Sequence, residues 1–228
     1  MQTRKRIPSW IRTKLSTTGN LKKIKTQLTK NCLHTICEEA ACPNRGECWD
    51  LGTATFLILG DTCTRKCKYC NVKHGNPSKL DKKEPIKLAN TVKKLGLNYV
   101  VITSVTRDDL DDGGSSVFVE CVEEIRKINP KVKLELLIPD FQFDYGTLQK
   151  IVELKPYVIN HNIEVVEPLF EKIRPEGNYR RSLKLLKKIK EINPSQFTKS
   201  GFMIGLGESE EDIQNTIKDL KNSDIDFL

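Results

Sequence analysis

From residue 53 onward the sequence alternates short, β-branched apolar runs with longer stretches of helical periodicity, and that alternation admits few folds. Strands are predicted over residues 53–59, 98–103, 132–138, 157–160 and 198–204. Helices are predicted between them over residues 85–95, 115–128, 145–154 and 181–192, with helical turns near 167–173. Apolar stripes mark the inward faces: Ile86, Ala89 and Val92; then Phe118, Cys121, Val122, Ile125 and Ile128; then Leu183, Leu186 and Ile189. Gly96 stops the first of these helices. A last helix opens at Ser209 with Asp212 as its capping-box acid, and buries Ile213, Ile217 and Leu220. Residues 225–228 look like the beginning of a sixth strand. Five strand–helix units in succession specify a parallel sheet joined by right-handed crossovers. We therefore expect an α/β fold, an incomplete (β/α) barrel cut short at the sixth strand. The polar, Gly-rich segments follow the strands, at the carboxyl ends where such folds place their sites.

Ahead of this pattern lies a different composition. Nine Lys and Arg and no acid precede Cys37, so the net charge of +8 is local; the remainder carries 29 basic against 30 acidic residues. We expect a basic, extended or partly helical arm with a cysteine motif over residues 1–50, then the barrel over residues 51–228. Such an arm suits an acidic protein partner, a transit peptide or nucleic acid, or is a solvated tail. With the rest of the chain near neutral, no nucleic-acid partner is expected. No run approaches the roughly 18 apolar residues of a membrane span, and no apolar segment of a signal peptide follows Met1. A cytoplasmic location without a membrane partner is expected, with mitochondrion or plastid as alternatives.

Seven of the eight cysteines fall between Cys32 and Cys70, a crowding that suits metal-bound thiols in a reducing compartment better than a disulfide framework. Cys63, Cys67 and Cys70 follow the first predicted strand at C-x3-C-x2-C spacing. Three thiolates leave one position of a metal or cluster open, and open positions are where chemistry occurs. Structural zinc prefers paired ligands in small ribbons, whereas this spacing suits a [4Fe–4S] cluster with one exchangeable iron. Cys37, Cys42 and Cys48 form a second triplet, which Pro43, Asn44 and Gly46 mark as a loop rather than a helix or strand. Cys121 reads as a core residue on its helix stripe, and Cys32 as a spare thiol rather than a substitute ligand, since no ligand spacing requires it.

The loop Cys63-x3-Cys67-x2-Cys70 after a first barrel strand, with aromatic Tyr69 before the last cysteine, resembles the radical S-adenosylmethionine superfamily. Within it, "CEEAACPNRGECW" followed by "GTATFLILGDTCTRKCKYC" is similar to the lipoyl synthase family. So are "VVITSVTRDDLDDGGSSVF", "HNIEVV" and "TKSGFMIGLGE". The resemblance implies a radical SAM partial barrel with two [4Fe–4S] clusters and S-adenosylmethionine. Cys63, Cys67 and Cys70 match the ligands of the radical cluster, whose open iron chelates S-adenosylmethionine and cleaves it to a 5′-deoxyadenosyl radical. Cys37, Cys42 and Cys48 match ligands of an auxiliary cluster that the family consumes as its sulfur source. Tyr69 sits where the superfamily places an aromatic near adenine, and Gly205, Gly207 and Glu208 match the glycine-rich fifth-strand motif of that pocket. Thr103 and Ser104 follow the second strand, where polar groups bind methionine or ribose.

The activity so implied is a sulfurtransferase that inserts two sulfur atoms at C6 and C8 of an octanoyl chain on a carrier-protein lysine. The partners implied are octanoylated E2 lipoyl domains and the glycine-cleavage H protein, with ferredoxin or flavodoxin as electron donor. The rivals are a biotin-synthase-like or methylthiotransferase-like sulfur inserter, a zinc or iron–sulfur binding module, and an inactive or partial form of the enzyme. One departure stands out: the family closes its auxiliary cluster with a serine of an Arg-Ser-Ser-Tyr motif, whereas here Arg181-Ser182 is followed by Leu183. The source of a fourth ligand is left open. Two further expectations stay open between function and plain structure: Arg107 and Asp108 as cofactor groups or a loop ion pair, and His161 as a substrate contact or a satisfied core histidine.

Overall fold

The computed structural model describes residues 19–228; the expected arm through residue 18 lies outside the described residues. Helix α1 (Asn20–Asn31) buries Ile24 and Leu28 and packs on two later helices. Strand β1 (His34–Thr35) leads into α2 (Ile36–Glu39), where the Thr35 hydroxyl accepts the Glu38 amide, and then comes α3 (Arg45–Asp50). Cys37 and Cys48 therefore lie on helical turns and only Cys42 on the connection, which corrects the expectation of a loop. The Thr35 cap and the local backbone bonds, Ala40 N to Ile36 O among them, let short helices form despite the turn residues.

Strand β2 (Thr53–Ile58) comes next, followed by a small parallel pair, β3 (Thr62–Cys63) and β4 (Lys73–His74), which closes the base of the cysteine loop. Helix α4 (Glu84–Leu95) has Pro85 in its first turn and ends at Gly96, whose φ of 64° suits a residue without a side chain. Strand β5 (Tyr99–Ser104), α5 (Ser115–Ile128), β6 (Lys133–Leu137), α6 (Tyr145–Glu153) and β7 (Val158–Asn160) continue the alternation. Helix α7 (Phe170–Ile173) is a single turn; α8 (Tyr179–Ile192), β8 (Phe197–Lys199) and α9 (Glu210–Asn222) complete the chain. The sheet order is β1-β2-β5-β6-β7-β8, with every pair parallel except β1 with β2. The sheet is not closed, so the architecture is the partial barrel expected. The antiparallel edge strand β1 was not predicted, since two residues carry no periodicity.

One face of the sheet packs beneath the helices through Phe56, Ile58, Val100, Ile102, Leu134, Leu136 and Ile159, each nearly or fully buried. Burying one such side chain contributes roughly 1.5–3 kcal/mol, so this layer dominates the stability. Cys121 lies within it, fully buried on α5, as expected. The boundaries of α5 agree with prediction, and so does the reciprocal Ser209–Asp212 capping box of α9. Four expectations fail. Ala89 and Val92 are buried as expected, but Ile86 is 51% exposed and Leu88 takes its inward place, because the buried stripe of α4 runs through Pro85 and Leu88. Leu220 is buried as expected, but Ile217 is 43% exposed and Thr216 faces inward instead. Strand β8 ends at Lys199 rather than residue 204, because β7 offers only three residues to pair with and the chain then turns away. Residues 225–228 form no strand, only a bridge between Lys199 and Phe227. Among the described residues no helix is long and apolar enough to cross a membrane.

Candidate active site at the carboxyl ends of the strands

The segment after β2 turns sharply because Leu59 adopts φ 69° and Gly60 φ 92°. The Leu59 amide is received by the buried Glu84 carboxylate at 2.9 Å. Gly114, at φ 85°, sits against the Leu59 side chain so closely that any Cβ would collide with it. The cysteine loop is then tied down at three backbone points: Thr64 N to Thr106 O at 3.0 Å, Lys68 N to Ile173 O at 2.9 Å, and Gly75 N to Cys63 O at 2.9 Å. Two amides, Arg65 N at 3.4 Å and Thr106 N at 3.3 Å, donate to Cys63 Sγ.

Cys63, Cys67 and Cys70 all line one cavity of about 350 Å³ at the carboxyl ends of the strands. Burial pushes the Cys67 thiol up, against the opposing pull of Arg174, and mutual repulsion with Cys63 and Cys70 adds to the rise. Cys70 is pushed up by burial and again by Cys63. A cationic guest bound among these thiols would relieve the repulsion that Cys67 and Cys70 feel. Among the described residues no three His, Cys, Asp or Glu side chains are drawn together as a single metal ion requires. A cluster with one open position suits both the spacing and the thiolate donor set.

The same cavity is lined by Tyr69, Thr103 and Ser104. Thr103 Oγ1 donates to Leu137 O at 3.0 Å, while the buried Ser104 hydroxyl has no partner among the described residues and is free for a ligand. Burial holds the Tyr69 phenol far above its ordinary range, and Glu164 reinforces this. Glu164, itself raised by burial, is opposed by Arg174 and by bonds from Asn162 and Tyr69. Arg174 is 8% exposed and donates Nη1 to Asn162 O at 2.9 Å. Glu164 and Arg174 give the cavity a charged wall that the sequence reading missed; single residues on irregular segments carry no spacing signature.

Other predicted residues fall elsewhere. Gly205 and Gly207 have φ of 94° and 110° but are exposed on the β8–α9 connection, outside the cavity. The Glu208 carboxylate accepts the Gly205 and Leu206 amides there, which lowers its pKa. Since β8 stops early, this segment is not carried to the cavity wall. Arg107 pairs with Asp109, not Asp108, through contacts of 2.9 and 2.8 Å, because Asp108 is engaged by Arg65. His161 reaches the cavity but is 1% exposed, with Nδ1 3.0 Å from Ile138 O and Nε2 3.1 Å from Ser182 Oγ. Burial and Arg174 push it down to about 4, so it is a neutral, satisfied histidine. Cys32 is exposed at the end of α1.

The second triplet flanks this cavity. Ile36 and Ala40, on either side of Cys37, line it, and Asn71 of the cysteine loop donates to Glu39 O at 2.9 Å. Cys48 is pushed up by burial and by Cys37 and Cys42, so these three thiols also sense one another. Trp49, fully buried beside Cys48, has an indole N–H without a partner among the described residues.

A family model described as the Radical SAM superfamily matches residues 57–220, and the N-terminal domain of lipoyl synthase matches residues 1–42. A lipoyl synthase of Alcanivorax borkumensis is 51% identical over 98% of this chain and 69% of its own length. This chain belongs to the lipoyl synthase family. A second lipoyl synthase, from Alkaliphilus metalliredigens, is 51% identical over 98% of the chain and 77% of its own length. Solved structures agree on the fold alone. Methylornithine synthase superposes with a TM-score of 0.61 at 17% identity, over 94% of this chain and 60% of its own. Streptococcus suis SuiB bound to S-adenosylmethionine gives 0.60 at 14%, over 90% and 43%. Membership in the Radical SAM superfamily implies one [4Fe–4S] cluster and S-adenosylmethionine as cofactors, and the lipoyl synthase family implies an octanoylated carrier protein as substrate.

Proposed function

We propose that the chain is a sulfurtransferase with two clusters, inserting sulfur at C6 and C8 of a carrier-bound octanoyl group. The observation that carries this is one cysteine triplet, Cys63, Cys67 and Cys70, lining the cavity with the other beside it: Cys37 lies on α2, which supplies Ile36 and, at its C-cap, Ala40 to the wall. Cys63, Cys67 and Cys70 would hold the radical cluster, and Cys37, Cys42 and Cys48 a second, sacrificial one. When bound, the first supplies hydrogen-atom abstraction through S-adenosylmethionine, and the second supplies sulfur. The chain's own groups orient and shield. Tyr69, Thr103 and Ser104 furnish an aromatic face and hydroxyls for the cofactor, and Arg174 offers a cation to a carboxylate. Leu57, Val72, Val105 and Leu137 give the acyl chain an apolar wall from which water is excluded. Gly205, Gly207 and Glu208 would join the cofactor pocket only after a movement of their connection.

The carriers proposed are E2 lipoyl domains and the glycine-cleavage H protein, the reductant is a ferredoxin or flavodoxin, and the compartment is the cytoplasm. Residues 1–50 would form the arm and auxiliary motif, and residues 51–228 the barrel. The test is anaerobic reconstitution followed by incubation with octanoylated H protein, S-adenosylmethionine and reductant. Lipoylated product with about eight irons per chain supports the reading; bound zinc, or 5′-deoxyadenosine formation without sulfur insertion, overturns it.

A further inference from the structure

Within the five residues from Cys63 to Cys67, Arg65 alone turns a long side chain inward; it is 7% exposed, whereas neighbouring Lys66 lies in solvent. A buried guanidinium is costly unless its donors are used. Here they are: Nε and Nη2 grip Asp108 at 2.7 and 2.8 Å, and Nη1 and Nη2 grip Asp140 at 2.6 and 2.7 Å. Burial works against the charge on Arg65, and the two carboxylates outweigh it. Both carboxylates are themselves fixed. Asp108 Oδ2 accepts Thr64 Oγ1 at 3.2 Å, and the fully buried Asp140 accepts Gln142 N at 3.1 Å. Asp108 follows β5 and Asp140 follows β6, so one side chain clamps the cysteine loop to the two strand ends that bear Thr103, Ser104 and Leu137 on the cavity.

The main chain of the same residue donates to Cys63 Sγ, so fixing the side chain also fixes that amide. Hydrogen bonds to cysteine sulfur are among the factors that set the potential of an iron–sulfur cluster. We propose that Arg65 is a positioning residue of the cysteine loop, holding its own amide on Cys63 Sγ through the double clamp on Asp108 and Asp140. Lysine keeps the charge but cannot fork onto two carboxylates, so Arg65→Lys separates geometry from charge. The proposal rests on Cys63, Cys67 and Cys70 holding a cluster, but not on sulfur insertion.

Three readouts on the full chain test it. Amide hydrogen exchange over residues 64–68 of the apo chain should accelerate in R65K, relative to exchange in the core strand β5. After reconstitution, R65K should bind its radical cluster yet titrate at a more negative potential, because an N–H···S bond is weakened. S-adenosylmethionine cleavage should fall by about 10- to 100-fold in kcat, the usual range for partners one layer behind a metal ligand, with KM little changed. If R65K does not fold, Asp108→Asn serves instead, since Asp108 is one-third exposed and the clamp on Asp140 survives. Unchanged exchange and unchanged potential in the variant that folds overturn the proposal. Failure of the wild-type chain to insert sulfur, with these shifts present, overturns only the proposed function.

Discussion

Glu84 and Leu59 lie 25 positions apart, and the carboxylate of one accepts the backbone amide of the other at 2.9 Å, where the chain leaves the sheet for the cysteine loop. Leu59 is held at φ 69° and 2% exposed, so its amide has no access to water. Removing the acceptor with Glu84→Ala should destabilise the chain by about 1–3 kcal/mol, the cost of a buried unpaired donor. Glu84→Gln keeps an acceptor and discards the charge. Burial raises the Glu84 pKa, so the folded chain holds that proton more tightly than the unfolded one. Its stabilising influence is therefore complete below the unfolded value and is lost as pH rises through the folded one. Urea unfolding across pH 4–8 should show E84Q equal to or more stable than wild type at neutral pH, with a flatter decline. A loss in E84Q matching that in E84A would refute the role of acceptor.

His161 makes the opposite pH prediction. Its pKa is depressed to about 4 by burial and Arg174, from an ordinary 6.5, so the unfolded chain takes up a proton more readily than the native one. The contribution is present above pH 6.5 and disappears as pH falls toward 4, amounting to something on the order of 3 kcal/mol. A His161→Gln variant, able to contact Ile138 O and Ser182 Oγ in part, should lose this slope between pH 6.5 and 4. Chemical unfolding followed by tryptophan fluorescence at several pH values measures it. A slope unchanged by the substitution would assign the acid sensitivity to other groups.

Lys22, Lys23 and Lys25 project from α1 into solvent on the side away from Ile24 and Leu28. That is the geometry of a steering surface, since exposed charge alters encounter rate more than affinity. Neutralising all three to Gln should slow association with an acidic octanoylated carrier domain and flatten its dependence on salt. Stopped-flow binding at several ionic strengths checks this, and an association rate equal to that of wild type at low salt would remove α1 from the docking surface.

Whatever in the fold rests on repetition was legible in the sequence. Phe118, Cys121, Val122 and Ile125 recur at helical spacing and bury as a stripe, and the β-branched strands pair in order. At the site, thiol spacing was equally legible, because a triplet must curl round its guest within a few residues. What escaped were contacts between residues far apart in sequence. Arg65 is 75 residues from Asp140, and it engages Asp108, which the sequence left open between a cofactor group and a partner of Arg107. Ile86 and Ser104 show the other limit: an apolar residue at the edge of a helical stripe and a hydroxyl left unpaired look the same in one dimension as their alternatives. Glu164 and Arg174 belong to the first group, two charges that gain meaning only on facing one cavity.

The two cysteine triplets should be separable by experiment. Replacing Cys37, Cys42 and Cys48 together by Ala removes thiols that sense one another but leaves the loop from Cys63 to Cys70 tied by Thr106 O and Ile173 O. Iron should fall from about eight to about four per chain, and S-adenosylmethionine cleavage should persist while lipoyl product disappears. Replacing Cys63, Cys67 and Cys70 should abolish both. The small helices α2, capped by Thr35, and α3 carry Cys37 and Cys48 on locally bonded turns outside the parallel strands, so the sheet and its helices should melt near the wild-type temperature in the apo state. Thermal unfolding of the metal-free variants therefore controls for misfolding. Sulfur insertion that survives loss of Cys37, Cys42 and Cys48 would mean that another source supplies the sulfur.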